Sequence, residues 1–326
     1  MRVESPFASL HMTPRFVLMS LSRTFTVGNL RCHTLEAGLQ RLDGGAMFGV
    51  VPRPLWQTRA APDERHRIPL AMRCLLVEHP DGLVLVDTGL GNKEDRKFLD
   101  IYGVENGGLE GATQLEDALA SAGFLPTDVR WVINTHLHFD HAGGNTTIDP
   151  ELENDPRRHV RPAFPNAGYV VQRGELEFAR HTNERTRASY LPANFEPIAA
   201  AHRWHLVEGD ADILPGISVR PTPGHVPFHQ AVLVHDRGET AAFIADLIPT
   251  TAHLPLPWIM GYDLEPLRTL ESKRALLRDA VAGEWRLVFE HDPAVAWGVA
   301  VADGKGVALR DVVRVDSPAA VAGGRA

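Results

Sequence analysis

The fold of this chain is decided by the stretch Thr135-His136-Leu137-His138-Phe139-Asp140-His141, which holds three imidazoles and one carboxylate. An apolar run at 129–134 precedes it, and we predict that run to be a buried strand. Neutral imidazole and carboxylate oxygen suit zinc, iron or manganese, and burying so many polar groups without a cation would be costly. The alternative is a polar turn whose histidines only hydrogen-bond. The pattern H-x-H-x-D-H, between a strand and Gly143-Gly144, favours a metal site.

This pattern resembles the signature of the metallo-β-lactamase-fold metallohydrolases, in which a distant His, Asp and His follow it. Here these would be His225 in a Pro-Gly turn, Asp246 after an apolar run, and His291 after another. The resemblance implies two divalent metal ions per chain, zinc first, with cobalt, manganese or iron as alternatives. The implied ligands of one metal are His136, His138 and His225, those of the other are Asp140, His141 and His291, and Asp246 bridges the two.

The resemblance also implies the fold, an α/β protein built as a four-layer αβ/βα sandwich. The second half of the chain repeats the order of elements in the first: a strand at 217–219, a hairpin around 236–238 and a helix from about 264 to 281. Residues from several strand ends would then converge on one rim, where rigid elements can hold a metal site.

The chain has 326 residues, of which 44% are hydrophobic and 23% are charged, and this composition is typical of a globular protein. We expect one catalytic domain at 25–315. The net charge of −8 argues against a nucleic-acid partner, because such proteins usually carry a concentrated basic surface. Cys32 and Cys74 are too sparse for a disulfide framework, which favours the reducing cytoplasm.

The two ends of the chain are expected to be additions to the domain. Residues 1–24 read as an N-terminal extension without a secretory signal, and 316–326 as a flexible tail. No stretch is apolar enough to span a membrane. The expected partner is a small ester or lactone, and a homodimer is left open.

The segment 24–36 is predicted to be a first strand, and 41–56 a glycine-rich loop that presents Met47, Phe48 and Trp56. A hydrophobic plug beneath the loop is the alternative. The loop sequence D-G-G-A-M-F-G-V-V-P-x-P-L-W resembles the lactonase branch of the family, which hydrolyses N-acyl-homoserine lactones in quorum quenching. The resemblance favours substrate contact by these three side chains.

Two strands at 70–77 and 83–86 are predicted to form a hairpin around an Asp-Gly turn. Asp87 follows the second strand, and the resemblance implies that it braces a ligand histidine rather than merely capping a turn. Leucine and alanine at helical spacing predict an amphipathic helix at 113–122, stopped by Gly123.

The long interval between His141 and His225 is expected to contain a strand at 169–171, a helix at 174–180 and an inserted cap at about 150–200. Tyr190 lies in its polar part. A phenol there could donate to a carbonyl oxygen as negative charge develops, as in related lactonases, and core packing is the alternative.

The resemblance implies a dinuclear metal-dependent hydrolase that opens the lactone ring by attack of a metal-bridging hydroxide. Asp140 would also pass a proton to the departing alkoxide. A phosphotriesterase using the same site and a metal-binding protein without hydrolytic activity are the alternatives. His229 and His253 have no assigned role, and hydrogen-bonded structural histidines are the expectation for both.

Overall fold

The computed structural model describes residues 20–148 and 160–315, and most of both predicted chain ends lies outside these ranges. The described chain opens with a hairpin of β1 (Ser22–Val27) and β2 (Leu30–Asp43). The prediction of one strand at 24–36 is therefore wrong. Gly28 has φ +55°, a conformation that favours glycine, and it lets the chain turn so that Val27 pairs with Leu30. Strand β1 also begins inside the extension predicted at 1–24.

The first half continues through β3 (Arg67–Glu78), β4 (Leu83–Val86), β5 (Val129–Ile133), β6 (Thr146–Ile148), β7 (Val160–Pro162), β8 (Gly168–Gln172) and β9 (Trp204–Val207). Strands β6 and β7 form a separate pair, and the others form a seven-stranded sheet in the order β1-β2-β3-β4-β5-β8-β9. The predicted hairpin is confirmed, because Leu75 pairs with Val86. Strand β8 pairs in parallel with β5, so part of the segment predicted as a cap belongs to the main sheet.

The second half builds another seven-stranded sheet, whose strands are adjacent in chain order. Its members are β10 (Ala211–Leu214), β11 (Ile217–Pro221), β12 (Gln230–Asp236), β13 (Glu239–Phe243), β14 (Arg286–Val288), β15 (Val295–Asp303) and β16 (Gly306–Arg314). Strands β13 and β14 are parallel, and helix α8 connects them. The predicted hairpin at 236–238 is confirmed by the pairing of Asp236 with Glu239.

The helices of the described residues are α1 (Gly44–Phe48), α2 (Arg53–Trp56), α3 (Arg96–Tyr102), α4 (Gln114–Ser121), α5 (Phe139–Ala142), α6 (Arg173–Arg180), α7 (Glu196–Ala200) and α8 (Pro266–Ala282). The predicted helices at 113–122, 174–180 and 264–281 are confirmed as α4, α6 and α8. The loop predicted at 41–56 is instead partly helical, since the Asp43 side chain caps α1 by accepting from the Ala46 amide.

Alternate side chains along the strands bury both faces of each sheet. Leu75 and Val77 of β3 face the second sheet in a core shared with Val219 and Phe243. The intervening side chains of β3 pack outward with those of α4, and the outer face of the second sheet packs against α8. Helices therefore cover both outer faces, which confirms the four-layer αβ/βα sandwich.

Within the described ranges, no helix has the combination of length and apolar character needed to cross a lipid bilayer.

One buried cation joins the two sheets. Arg73 of β3 is fully buried and makes two hydrogen bonds to the carboxylate of Glu36, at 2.7 and 3.0 Å. Its remaining donors reach the main-chain carbonyls of Phe289, of Asp292 at 3.0 Å and of Val295 at 3.2 Å. These carbonyls flank His291, so the guanidinium connects the first sheet to the segment that follows β14.

Replacing this cation should therefore weaken the sandwich. We expect Arg73→Met to lower the free energy of unfolding by about 3–5 kcal/mol, because Glu36 and three carbonyls would lose their buried partner. Urea unfolding followed by circular dichroism measures the change. Arg310→Met is the control, since its pair with Glu284 is exposed to solvent and should contribute little. Equal losses in both variants would contradict a special role for Arg73.

Candidate metal centre

The ends of four strands place the predicted metal ligands together. His136, His138, Asp140 and His141 follow β5, and the other three follow β11, β13 and β14. Parallel strands end at the same edge of a sheet, so β13 and β14 deliver Asp246 and His291 side by side. The two sheets therefore supply one cluster at the rim of the sandwich.

The seven side chains form two groups, and within each group the ligand atoms lie within 4.8 Å of one another. The groups are His136, His138, His225 and Asp246, and Asp140, His141 and His291. Their division matches the two ligand sets expected from the sequence, with Asp246 in the first.

Asp246 lies between the two groups. Its Oδ2 atom is 2.9 Å from His225 Nε2 and 3.4 Å from His141 Nε2, and its Oδ1 atom is 3.0 Å from His291 Nε2. One carboxylate thus reaches imidazoles of both groups, as a bridging ligand must.

The outward ring nitrogens of the cluster have fixed partners. His141 Nδ1 lies 3.1 Å from Asp87 Oδ2 and 3.0 Å from Glu290 Oε2. His225 Nδ1 lies 3.0 Å from Asp263, and His291 Nδ1 lies 2.7 Å from the Ala71 carbonyl. Such partners hold the tautomer and the orientation of a ligand histidine, and they leave Nε2 directed at the centre.

Asp87 occupies the position that the sequence implied. It is fully buried, has φ +53°, and accepts hydrogen bonds from the amide and hydroxyl of Thr135 at 2.8 and 2.6 Å. It therefore fixes the start of the histidine loop as well as the ring of His141.

Burial and neighbouring charges divide the imidazoles into two classes. For His225, burial opposes protonation, but Asp246 and Asp263 outweigh it and raise the pKa to about 10. Burial and nearby imidazoles instead hold the pKa values of His136 and His138 well below the usual range. These two rings therefore keep free lone pairs, which is the form that binds a metal, whereas His225 would have to give up its proton when a metal ion binds.

The close approach of ring nitrogens fits a cation. His225 Nε2 lies 3.1 Å from His138 Nδ1, and His291 Nε2 lies 3.2 Å from His141 Nε2. His136 Nε2 is buried and has no hydrogen-bond partner among the described residues. Lone pairs brought this close repel unless a proton or metal lies between them, so the residues present fit a pair of divalent ions.

A cavity of about 410 Å³ opens above the cluster. Met47, Leu70, Met260 and Leu264 are among its apolar lining side chains, and Tyr102, Tyr262 and Arg185 are among its polar ones. His138, Asp140, His225, Asp246 and His291 also line it, so a ligand in the cavity would contact the cluster directly.

The three predicted substrate side chains of the α1–α2 region separate in the structure. Met47 lines the cavity, whereas Phe48 and Trp56 do not. They are buried and stacked on each other with ring centroids 5.3 Å apart, and Phe48 also stacks on His253 at 4.5 Å. The alternative of a hydrophobic plug therefore describes Phe48 and Trp56, because their rings support the cavity wall from behind.

Tyr190 also differs from its expected position. Its hydroxyl donates to Glu175 Oε1 at 2.9 Å, and the residue does not line the cavity. Its ring packs edge-on against His138, with centroids 4.7 Å apart. The same Glu175 oxygen accepts from the Leu137 amide at 3.0 Å, so Tyr190 and Glu175 brace the histidine loop from outside the cavity.

Both unassigned histidines are hydrogen-bonded, as expected. His229 Nδ1 lies 2.8 Å from the Thr222 hydroxyl. His253 contacts the Thr250 hydroxyl at 2.8 Å and the Met47 carbonyl at 2.9 Å, which fixes the loop that carries Met47.

Sequence reasoning missed the carboxylates and the amide that support the cluster. Glu290 could have been noticed, because it is an acid at the end of an apolar run directly before His291. Asp263, Glu175 and Gln40 carried no such signal. Gln40 donates to Asp140 Oδ2, and its place near the end of β2 gives no indication of this contact with a residue 100 positions later.

Comparison with known proteins agrees with this geometry. An N-acyl homoserine lactonase from a Bacillus species is 32% identical over 180 residues, which are 51% of this chain and 58% of that protein. A probable metal-dependent hydrolase from Staphylococcus aureus superimposes with a TM-score of 0.78 at 29% identity, over 89% of this chain and all of the other. An N-acyl homoserine lactone hydrolase with N-hexanoyl-L-homoserine bound at its catalytic metal centre superimposes with a TM-score of 0.60 at 26% identity. The superposition covers 82% of this chain and 94% of the other.

The sequence match to the lactonases thus spans somewhat more than half of their length. The family model of the metallo-beta-lactamase superfamily matches residues 69–291, which is more than half of this chain and contains all seven clustered side chains. With the sandwich fold and the ligand cluster, this match shows that the chain belongs to the metallo-β-lactamase superfamily.

Proposed function

We propose that this chain is a dinuclear metal-dependent hydrolase that opens the lactone ring of N-acyl homoserine lactones. The observation that carries the proposal is the position of the seven-residue cluster at the floor of a largely apolar cavity. The lactonase relatives, one of them with an acyl-homoserine product at its metal centre, support the substrate class.

His136, His138 and His225 would hold one ion, Asp140, His141 and His291 the other, and Asp246 would lie between them. Divalent ions in such a site acidify a water molecule and polarise a carbonyl group. Zinc, cobalt, manganese and iron all accept this donor set.

Asp140 is the chain's own candidate for moving a proton. It lines the cavity, and Gln40 donates to its Oδ2 atom. Both carboxylate oxygens face the cluster, since Oδ1 is 3.8 Å from His141 Nε2 and Oδ2 is 3.8 Å from His291 Nε2. Asp140 would therefore be placed to take a proton from the attacking water and to pass it to the alkoxide oxygen that leaves when the ring opens.

Tyr190 would act through the histidine loop rather than on the substrate. Glu175 is fully buried, and burial raises its pKa to about 7. The Tyr190 hydroxyl and the Leu137 amide are its hydrogen-bond donors. Tyr190 would thus keep Glu175 in place, and Glu175 would keep His136 and His138 in register.

Metal content and turnover test the cluster. We expect about two metal equivalents per purified chain, and we expect Asp246→Ala to lose both metal and lactone hydrolysis, because the central carboxylate joins the two groups. Asp87→Asn should lower metal affinity more mildly, about 10- to 100-fold. Elemental analysis and a lactone assay measure these changes, with the exposed Asp303→Asn as control.

Full activity in Asp246→Ala would refute the assignment. Bound metal without turnover would favour a non-hydrolytic protein, and faster turnover of a phosphotriester would favour a phosphotriesterase.

Acyl-chain length tests the cavity. Each buried methylene contributes about 0.8 kcal/mol, so two more carbons should tighten binding roughly tenfold until the cavity is full. Met260→Ala should flatten this dependence, chiefly in KM, because Met260 lines the apolar wall. Leu267→Ala is the control, since that side chain is 78% exposed and lies outside the cavity. If KM of the wild type did not change with acyl-chain length, the cavity would not bind the acyl chain.

Tyr190→Phe separates bracing from direct catalysis. Loss of one hydrogen bond to Glu175 removes about 1 kcal/mol, so kcat should fall by less than about tenfold and metal loss to a chelator should accelerate. Removal of a donor to the oxyanion would instead lower kcat by about 100- to 1000-fold with metal retained. Steady-state kinetics and chelator-induced metal release distinguish the two results.

A further inference from the structure

Arg185 is a cation at the wall of the catalytic cavity that the proposed mechanism does not use. Apart from the clustered histidines, it is the one basic side chain among the lining residues of the described structure. No carboxylate pairs with it in the described part of the chain. Arg185 is exposed to solvent, and its Nη2 atom donates to the Gly261 carbonyl at 3.1 Å, which holds the guanidinium beside the part of the wall that contains Met260 and Tyr262.

The remaining guanidinium donors have no protein partner among the described residues. Arginine carries five N–H donors in a rigid fork, and one of them is used by Gly261. A guanidinium beside apolar side chains and without a counter-ion is suited to a ligand that brings its own acceptor.

The substrate class of the proposed function has such an acceptor. An N-acyl homoserine lactone carries its reacting ester at one end, an alkyl chain at the other and an amide carbonyl between them. With the ester at the cluster and the chain against the apolar wall, the amide loses water on entering the cavity. A buried carbonyl without a donor is costly, so the site needs a donor between its two ends.

Other donors of the cavity serve this need less well. The Thr186 hydroxyl is already shared with the Asn183 side chain at 3.4 Å. Tyr102, Ser189 and Tyr262 offer neutral hydroxyls, whereas hydrogen bonds from a charged donor are roughly twice as strong.

We propose that the Arg185 guanidinium donates to the amide carbonyl of the acyl chain and so selects amide-bearing lactones over simple alkyl lactones. This inference rests on the proposed function, since it assigns a specificity residue to the same cavity. The contact lies away from the reacting ester, so it acts mainly on binding.

The test compares two lactones of equal length. One is N-hexanoyl homoserine lactone, and the other is an α-alkyl-γ-butyrolactone in which two methylenes replace the amide. We expect Arg185→Ala to lower kcat/KM for the amide lactone by about 10- to 100-fold, mostly through KM, and to leave the alkyl lactone within about threefold. Arg185→Lys should fall between, because an ammonium lacks the fork that can serve Gly261 and the substrate together.

Arg187→Ala is the matched control, an exposed arginine two residues away that does not line the cavity, and it should leave both substrates unchanged. Thermal unfolding of each variant checks the fold. If Arg185→Ala lowered kcat/KM equally for both lactones, Arg185 would only maintain the shape of the cavity, and the inference would be overturned. Loss of the preference in Tyr262→Phe or Tyr102→Phe instead would also overturn it. A wild type that opens neither lactone would refute the proposed function and this inference together, whereas one that opens both with a ratio indifferent to Arg185 would refute the inference alone.

Discussion

The structure depends on one carboxylate, that of Asp246, placed among imidazoles from both sheets. His136, His138 and His141 come from the first sheet, and His225 and His291 from the second. Buried imidazoles and carboxylates at these distances are unfavourable unless a shared positive charge compensates them. The two sheets must therefore meet in the one register that brings these side chains together, and the interior packing of the sandwich fixes that register.

The cluster is supported by buried polar side chains that contact its rings and its backbone. Asp87 and Glu290 hold the outward nitrogen of His141, and Asp263 holds that of His225. Arg73 holds the carbonyls on both sides of His291. Beyond them, Tyr190 and Glu175 secure the histidine loop from the side of α6. These contacts therefore connect the ligand side chains to rigid elements of the fold.

The layers of the fold and the clustering of the seven side chains were predicted through the resemblance of the H-x-H-x-D-H motif and the three later positions to a known family. The sequence could not predict the direction of side chains set by distant contacts. Phe48 turns inward because His253, over two hundred residues later, offers a stacking surface. Tyr190 turns away from the cavity because Glu175 offers an acceptor. No local sequence pattern predicts the contact of Phe48 with His253 or that of Tyr190 with Glu175.

The backbone conformation of Asp87 sets two requirements of this site against each other. Its φ of +53° lies in the left-handed region, where a residue with a side chain is less stable than glycine by about 1–2 kcal/mol. A glycine would relieve that strain, but it would remove the acceptor that orients His141 and anchors Thr135. Relief of backbone strain and order of the metal centre thus oppose each other at this residue, because the acceptor requires a side chain where glycine is the more stable backbone.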